Sequence, residues 1–425
     1  MRLGRWLGIL STYYSIAAVT VFTTIACLVV ANGLAQSFLR SHPEILMTAA
    51  DRQNENTRAI REQMIPPEEA KIWYDLDAGG EVKAMWDEFY NAGAVFQSYV
   101  HFRSRPLVGK YYGVTEAGYR LLRDAGPWPP DRNNINVFFF GGSTSFGVGP
   151  YWATVASYLQ DVMNRSGTFD RKVYVYNFGR SGYISSQEVV LLGRLIADGA
   201  RPDAVVFLDG LNDFCFWDGQ PSSWQALQIF FNQSNSEYMK QVAGYGIVTR
   251  WERAVEFLQT LPLVRLIDGV LFQRAEEIKY QPAAEPPPDK PEPPDVRERV
   301  IDRYVANMRQ VKALGEEFKF VPIFVWQPIP TYKYDTRYHR FNPERLGCHI
   351  NSKVGYPEAR TRFEDRALGQ SLIWAADMQE GAKEPLYVDA FHYTAPMSKR
   401  IAEYIFSEAT RRQLLRSGAK KPAAP

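Results

Sequence analysis

The apolar run at residues 135–140 stops at Gly141 and Gly142, and three hydroxyl residues follow, Ser143, Thr144 and Ser145. A run of this length and bulk suits a strand buried on both faces, the kind found in parallel sheets. Ending on two glycines, it ends in a tight turn, because glycine reaches backbone conformations closed to other residues. The turn would lift Ser143 to the C-terminal edge of a sheet, where open α/β folds place their chemistry. Ser143 is therefore a candidate nucleophile. From this stretch alone, a loop that only caps a strand or holds a phosphate would look the same.

Downstream, strand and helix signals alternate. Val155, Leu159 and Val162 recur at helical spacing, and Gly167 ends that helix. A strand at 172–176 leads into Asn177-Phe178-Gly179-Arg180-Ser181-Gly182, and a strand at 204–208 ends in Asp209-Gly210-Leu211-Asn212-Asp213. A helix at 296–315 places Val300, Tyr304, Met308 and Val311 on one face, ahead of a strand at 318–326. Repeated βα units imply a parallel sheet with helices on both faces, its strand ends lining one rim. Residues 332–370 read as a long polar and aromatic loop, and 385–388 as a further strand running into Asp389-Ala390-Phe391-His392. The last helix starts at Thr394, a good N-cap, and buries Met397, Ile401, Tyr404 and Ile405.

Of the five histidines, His42, His101, His339 and His349 lack a strand-end context, whereas His392 lies between a strand and a helix. Asp389 is close enough in that turn to orient its imidazole. Serine hydrolysis needs this arrangement: a hydroxyl is a weak nucleophile until a positioned base takes its proton, and the base needs a fixed tautomer. The negative charge that develops on the substrate oxygen needs donors as well. The Ser143 N–H, the Gly182 N–H and the Asn212 side-chain amide stand at the right strand ends to supply them. Taken singly, Asn212 reads as a turn residue, Asp213 as a helix cap and Asp389-x-x-His392 as an ordinary helix entry.

In this order, Gly-Gly-Ser-Thr-Ser-Phe-Gly, Asn-Phe-Gly-Arg-Ser-Gly-Tyr, Gly-Leu-Asn-Asp and Asp-Ala-Phe-His resemble the four blocks of the SGNH hydrolases, the GDSL-type esterases and lipases. The resemblance maps serine, glycine, asparagine and histidine onto Ser143, Gly182, Asn212 and His392. It implies a flavodoxin-like three-layer α/β/α fold, Asp389 as the third triad member, and catalysis without a metal or organic cofactor. It covers about 135–220 and 299–410. Gly142 stands where the family's Gly-Asp-Ser has aspartate, a variation shared with membrane-anchored members.

The flanks have no counterpart in the minimal family fold. Residues 6–39 carry no charge, with Arg2 and Arg5 before them and Trp6, Tyr13 and Tyr14 suited to an interface. They read as a retained signal anchor over residues 1–40, with a cleavable signal peptide, cut near Gly33-Leu34-Ala35, as the rival. Both readings export the rest of the chain, to the periplasm in a Gram-negative bacterium. Residues 41–134 read as a charged stalk or collar, with candidate helices at 52–63 and 67–90 and short edge strands at 99–123. Residues 135–416 read as the hydrolase domain, interrupted at about 214–295 by an aromatic helical insertion and a Pro-rich tract. That insertion could form a lid or pocket wall, or pack on the core. Residues 417–425 read as a disordered tail. With 425 residues and a net charge of +2, nothing speaks for nucleic acid. Of the three cysteines, Cys27 lies in the apolar run, which leaves Cys215 and Cys348 as a possible disulfide or as two buried thiols. The expected activity is extracytoplasmic hydrolysis of acyl esters, glycan O-acetyl or lipid acyl. The alternatives are transfer of the acyl group to a cell-surface polysaccharide, and a catalytically silent assembly factor on the same fold.

Overall fold

Alternation along strand β1 (Ile135–Gly141) sets the layers, since successive side chains point to opposite faces. Phe138 and Phe140 pack into one core with helices α1 (Ser185–Ala197), α2 (Pro294–Phe318) and α3 (Ile350–Asp365), while Val137 and Phe139 pack into the other. That second core is closed by the helices Val155–Arg165 and Ala395–Arg411. The structure, a computed structural model, describes residues 2–42, 45, 65–77, 81–219, 255, 257–272, 290–341, 349–365 and 372–415.

Strand β1 pairs in parallel with β2 (Val173–Asn177) on one side and β3 (Ala204–Asp209) on the other. Beyond them lie β4 (Val321–Trp326) and β5 (Leu372–Trp374), giving the order 2-1-3-4-5. This is the flavodoxin-like three-layer α/β/α arrangement, in which ligands sit at the C-terminal ends of the strands. Val300, Tyr304, Met308 and Val311 are buried as their spacing predicts. Thr394 caps the last helix by accepting from the Met397 N–H at 3.3 Å.

Three local expectations are corrected. Residues 385–388 are no sheet strand: Tyr387 forms an isolated antiparallel bridge to Tyr393, which folds the His392 turn back on itself. The fifth strand is Leu372–Trp374, too short to stand out against its polar surroundings. Part of the loop expected at 332–370 is the helix Ile350–Asp365, despite Gly355 and Pro357 within it. Tyr356, Ala359 and Phe363 are buried in the first core, and burial of one apolar face outweighs poor helix propensity.

The chain divides into two units, Met1–Ala59 with Ser234–Glu285, and Ile60–Gln233 with Pro286–Pro425. The first contains the helix Arg2–Ser41, of which Ser11–Ser41 is long and apolar enough to cross a membrane or to serve as a signal sequence. In the same unit the Leu263 N–H donates to Asn32 Oδ1 at 3.0 Å, so the helix Pro262–Ile267 of the insertion packs on the N-terminal helix. Residues 220–254, 256 and 273–289 of the insertion, the candidate helix at 52–63 and the tail lie outside the described residues, and Phe214, at the start of the insertion, is buried in the first core. In the second unit, the helices Pro67–Tyr74 and Glu81–Asn91 stand where one was expected, and Trp73, Tyr74, Met85 and Trp86 pack with Val148 and Val388.

Candidate active site

The serine turn is shaped by what its glycines allow. Gly141 has φ +146, and a Cβ there would stand 2.6 Å from Leu208 O. The chain therefore leaves the sheet beside β3 and starts the single helical turn Ser143–Phe146. Of the three hydroxyl residues, Ser145 is fully buried and Thr144 is 4% exposed, while Ser143 is half-buried. The Ser145 hydroxyl bonds Leu208 O at 3.3 Å and the Thr144 hydroxyl bonds Gln327 Oε1 at 2.6 Å. Both are anchors of the turn, which leaves the Ser143 hydroxyl as the accessible one.

The other blocks converge on this turn. Asn212 Nδ2 donates to Tyr183 O at 2.8 Å, which ties the end of β3 to the loop after β2. A Cβ on Gly142 would run into that same amide and lie 3.4 Å from Tyr183 O. Gly182, at φ 71, takes the left-handed conformation that glycine adopts without strain. Among the described residues, neither the Ser143 nor the Gly182 N–H donates to a protein carbonyl.

His392 Nδ1 lies 2.7 Å from Asp389 Oδ2, and the imidazole is nearly buried. Asp389 Oδ1 also accepts from the N–H groups of Phe391 at 3.0 Å and His392 at 2.9 Å, so the carboxylate builds the turn that carries its own histidine. His392 Nε2 is buried and, among the described residues, has no hydrogen-bond partner. Gln327 connects the two halves. Its Oε1 accepts from Thr144, next to Ser143, and lies 3.4 Å from the hydroxyl of Tyr393, next to His392; that hydroxyl donates its proton to the adjoining Pro328 O at 2.8 Å. The serine and histidine turns thus share one buried amide at the end of β4, although no hydrogen bond joins Ser143 to His392. Catalytic bonds are often loose until substrate binds.

Sequence reasoning passed over several residues that the fold places here. His339, 9% exposed, accepts the Phe341 N–H on Nδ1 at 3.1 Å and lies with Nε2 3.3 Å from Ala390 O, bracing the Asp389 turn as a neutral ring. His349 lies beside Phe391, ring centroids 4.6 Å apart, and burial followed by the nearby His392 pushes its pKa down to about 4. Cys215 is disulfide-bonded and Cys27 is free, while Cys348 lies outside the described residues.

Beneath the Asn212 turn lies a buried acidic network. Asp213 accepts from Ser185 Oγ at 2.6 Å, and Asn307 donates to the same hydroxyl at 2.9 Å. Glu188 is wholly buried, and among the described residues neither of its carboxyl oxygens, nor Asp209 Oδ2, has a hydrogen-bond partner, so the acid is deprived of the contacts that would hold its charge. Burial, then the negative charges of Asp209 and Asp213, raises the Glu188 pKa well above the carboxyl range. The sequence did carry a signal, because Glu188 continues the apolar stripe of Leu191, Leu192 and Leu195. The folded chain then retains a proton that the unfolded chain releases above a pKa of about 4.3. Stability from this site is full below that value and falls as pH rises toward the folded-state pKa. Glu188→Gln, which mimics the protonated acid, should unfold at higher urea than wild type near about pH 9 and lose that advantage near about pH 5. Parallel stability curves would contradict a proton retained on Glu188.

No curated protein matches the chain. Among solved structures it is similar to LAE5, an α/β-hydrolase enzyme from the metagenome of Lake Arreo, at 14% identity and TM-score 0.33, over 69% of this chain and 99% of that one. It is similar to a lipase/acylhydrolase from Enterococcus faecalis at 13% identity and TM-score 0.32, over 65% and 96% of the two chains. A third is a lipolytic protein of the G-D-S-L family from Veillonella parvula, at 9% identity and TM-score 0.31, over 65% and 96%. These likenesses are remote. The family model for GDSL-like lipases and acylhydrolases, by contrast, matches residues 139–353, from the serine turn through Gly182 and Asn212, and stops before Asp389 and His392. Because that match spans just over half of the 425 residues, the chain belongs to the GDSL-like lipase/acylhydrolase family and is a carboxylic ester hydrolase.

Proposed function

We propose that the protein is a membrane-anchored serine esterase acting outside the cytoplasm on acyl esters of a glycan or lipid, with Ser143, His392 and Asp389 as its triad. The observation that carries this reading is the meeting of the serine and histidine turns on Gln327, with His392 Nδ1 held at 2.7 Å by Asp389 and Nε2 left unpartnered among the described residues. In the first step Ser143 Oγ attacks the ester carbonyl while His392 Nε2 takes its proton, and Asp389 stabilises the resulting imidazolium. The carbonyl oxygen, now an anion, receives hydrogen bonds from the Ser143 N–H, the Gly182 N–H and the second N–H of Asn212. Collapse expels the alcohol, which leaves with the proton from His392, and Ser143 carries the acyl group. Water then gives its proton to His392, attacks the acyl carbon and releases the acid, returning the proton to Ser143.

The helix ending at Ser41 supports attachment to a bilayer, with the catalytic unit on the far side of it. Reaction with a fluorophosphonate tests the site, because the reagent labels only an activated serine. Wild type should give one modified peptide, containing Ser143, and Ser143→Ala should give none. Labelling that persists in the variant, or no labelling of wild type, would refute this assignment.

A further inference from the structure

Beside the serine and glycine turns lies a cavity of about 200 Å³, walled by Phe89, Phe102, Tyr112 and Phe146 and lined by Arg103 and Arg180. Phe146 ends the helical turn that begins at Ser143, and Ser181, exposed and next to Gly182, also lines the cavity. Arg180 is only 4% exposed. Its Nη1 donates to Gln97 Oε1 at 2.7 Å and to Phe102 O at 3.4 Å, its Nη2 donates to Gly118 O at 3.4 Å, and its Nε is buried. Arg103 Nη1 is buried as well, and among the described residues neither it nor Arg180 Nε has a hydrogen-bond partner.

The two charged side chains that line this cavity are both arginines, and Glu88, next to Phe89 in its wall, accepts from the N–H groups of Lys110, Tyr111 and Tyr112. Arg120, wholly buried behind Phe146, donates to the carbonyls of Phe146, Gly147 and Gly149 and stacks over the Phe146 and Tyr112 rings. Burial, and after it the charge of Arg103, lowers the pKa of Arg180, and burial brings Arg120 down to about 10. Among the described residues no carboxylate pairs with Arg103, Arg120 or Arg180. Buried guanidinium groups without a counter-charge are costly, and their planar forks match the oxygens of a carboxylate, phosphate or sulfate. Aromatic walls suit the ring or short chain that bears such a group. The volume lies below that of a drug-sized pocket, so it fits a single substituent.

We infer that this cavity is a subsite for an oxyanion-bearing part of the ester substrate, held by Arg103 and Arg180 and covered by the surrounding aromatic rings. The inference takes the esterase reading as given and narrows its substrates to esters of acidic compounds.

The test uses the full chain in detergent, titrated with benzoate, phenyl phosphate, phenyl sulfate and the neutral benzyl alcohol, with binding read by saturation-transfer NMR. At least one anion should bind where benzyl alcohol does not, and the tightest of the three identifies the group the site takes. Arg103→Gln should weaken that binding by about tenfold or more, the loss of a charge-assisted hydrogen bond. Ala94→Trp, at an exposed residue of the lining, should abolish it by filling the space, and serves if the arginine variant does not fold. The bound anion should also compete with ester hydrolysis. Equal binding of benzyl alcohol, no anion binding, unchanged binding in a folded Arg103→Gln or Ala94→Trp variant, or binding without competition would each overturn the subsite. Binding is measured without turnover, so the two readings fail separately. An enzyme that binds the anions but hydrolyses no ester refutes the esterase reading, and an active one that binds none refutes the subsite.

Discussion

Asp389→Asn should lower kcat for ester hydrolysis by about 10⁴-fold, the loss seen when the same change is made in a serine-protease triad, and should leave the melting transition in place. The geometry explains both halves. The asparagine carbonyl can keep the bonds that Asp389 Oδ1 accepts from the N–H groups of Phe391 at 3.0 Å and His392 at 2.9 Å, so the turn survives. Its amide nitrogen then occupies the position of Oδ2, 2.7 Å from His392 Nδ1, where it offers a donor in place of an acceptor. Nδ1 answers as an acceptor and the proton moves to Nε2, the nitrogen that must take the proton of Ser143. Steady-state kinetics beside a thermal melt decide the matter. A loss of kcat under about tenfold would mean that Asp389 only shapes the loop.

Gly142→Ala should reduce kcat by about 10² to 10³, the usual cost of one lost oxyanion donor, with a smaller change in KM. The backbone itself permits alanine, since φ at this residue is −75. The obstacle is the side chain of Asn212. The new Cβ would overlap Nδ2 and sit 3.2 Å from Cγ, so the amide must rotate and give up its 2.8 Å bond to Tyr183 O. With that bond goes the direction of its second N–H. A double-mutant cycle isolates the cause. If Gly142 acts through Asn212, then Gly142→Ala on an Asn212→Ala background should cost almost nothing more. Two losses that multiply would show that residue 142 acts by another route, and full activity in Gly142→Ala would remove Asn212 from the oxyanion site. The same contact gives a physical reason for glycine here in place of the aspartate of the family's usual motif.

Residue order alone carried several features decided by near neighbours in the chain, though not the Tyr387–Tyr393 bridge. The apolar run 135–140, the glycines behind it, the cap at Thr394 and the pairing of Asp389 with His392 depend on groups close together in the chain, and each stands where its spacing places it. The parallel sheet followed too, because repeated βα units close in few ways. Contacts made across the sheet were not legible. That Ser143 is the accessible hydroxyl, and Thr144 and Ser145 are anchors, depends on Gln327 and Leu208, which are separated from them by 183 and 63 positions. The helix Ile350–Asp365 forms because Tyr356 and Phe363 find Trp326 and Trp374, an energy that no local propensity contains. Arg180 looks like an ordinary surface charge until the hairpin of Ala94–Gln97 with His101–Ser104 packs over it and leaves it 4% exposed, because the field at a side chain is set by its neighbours in space.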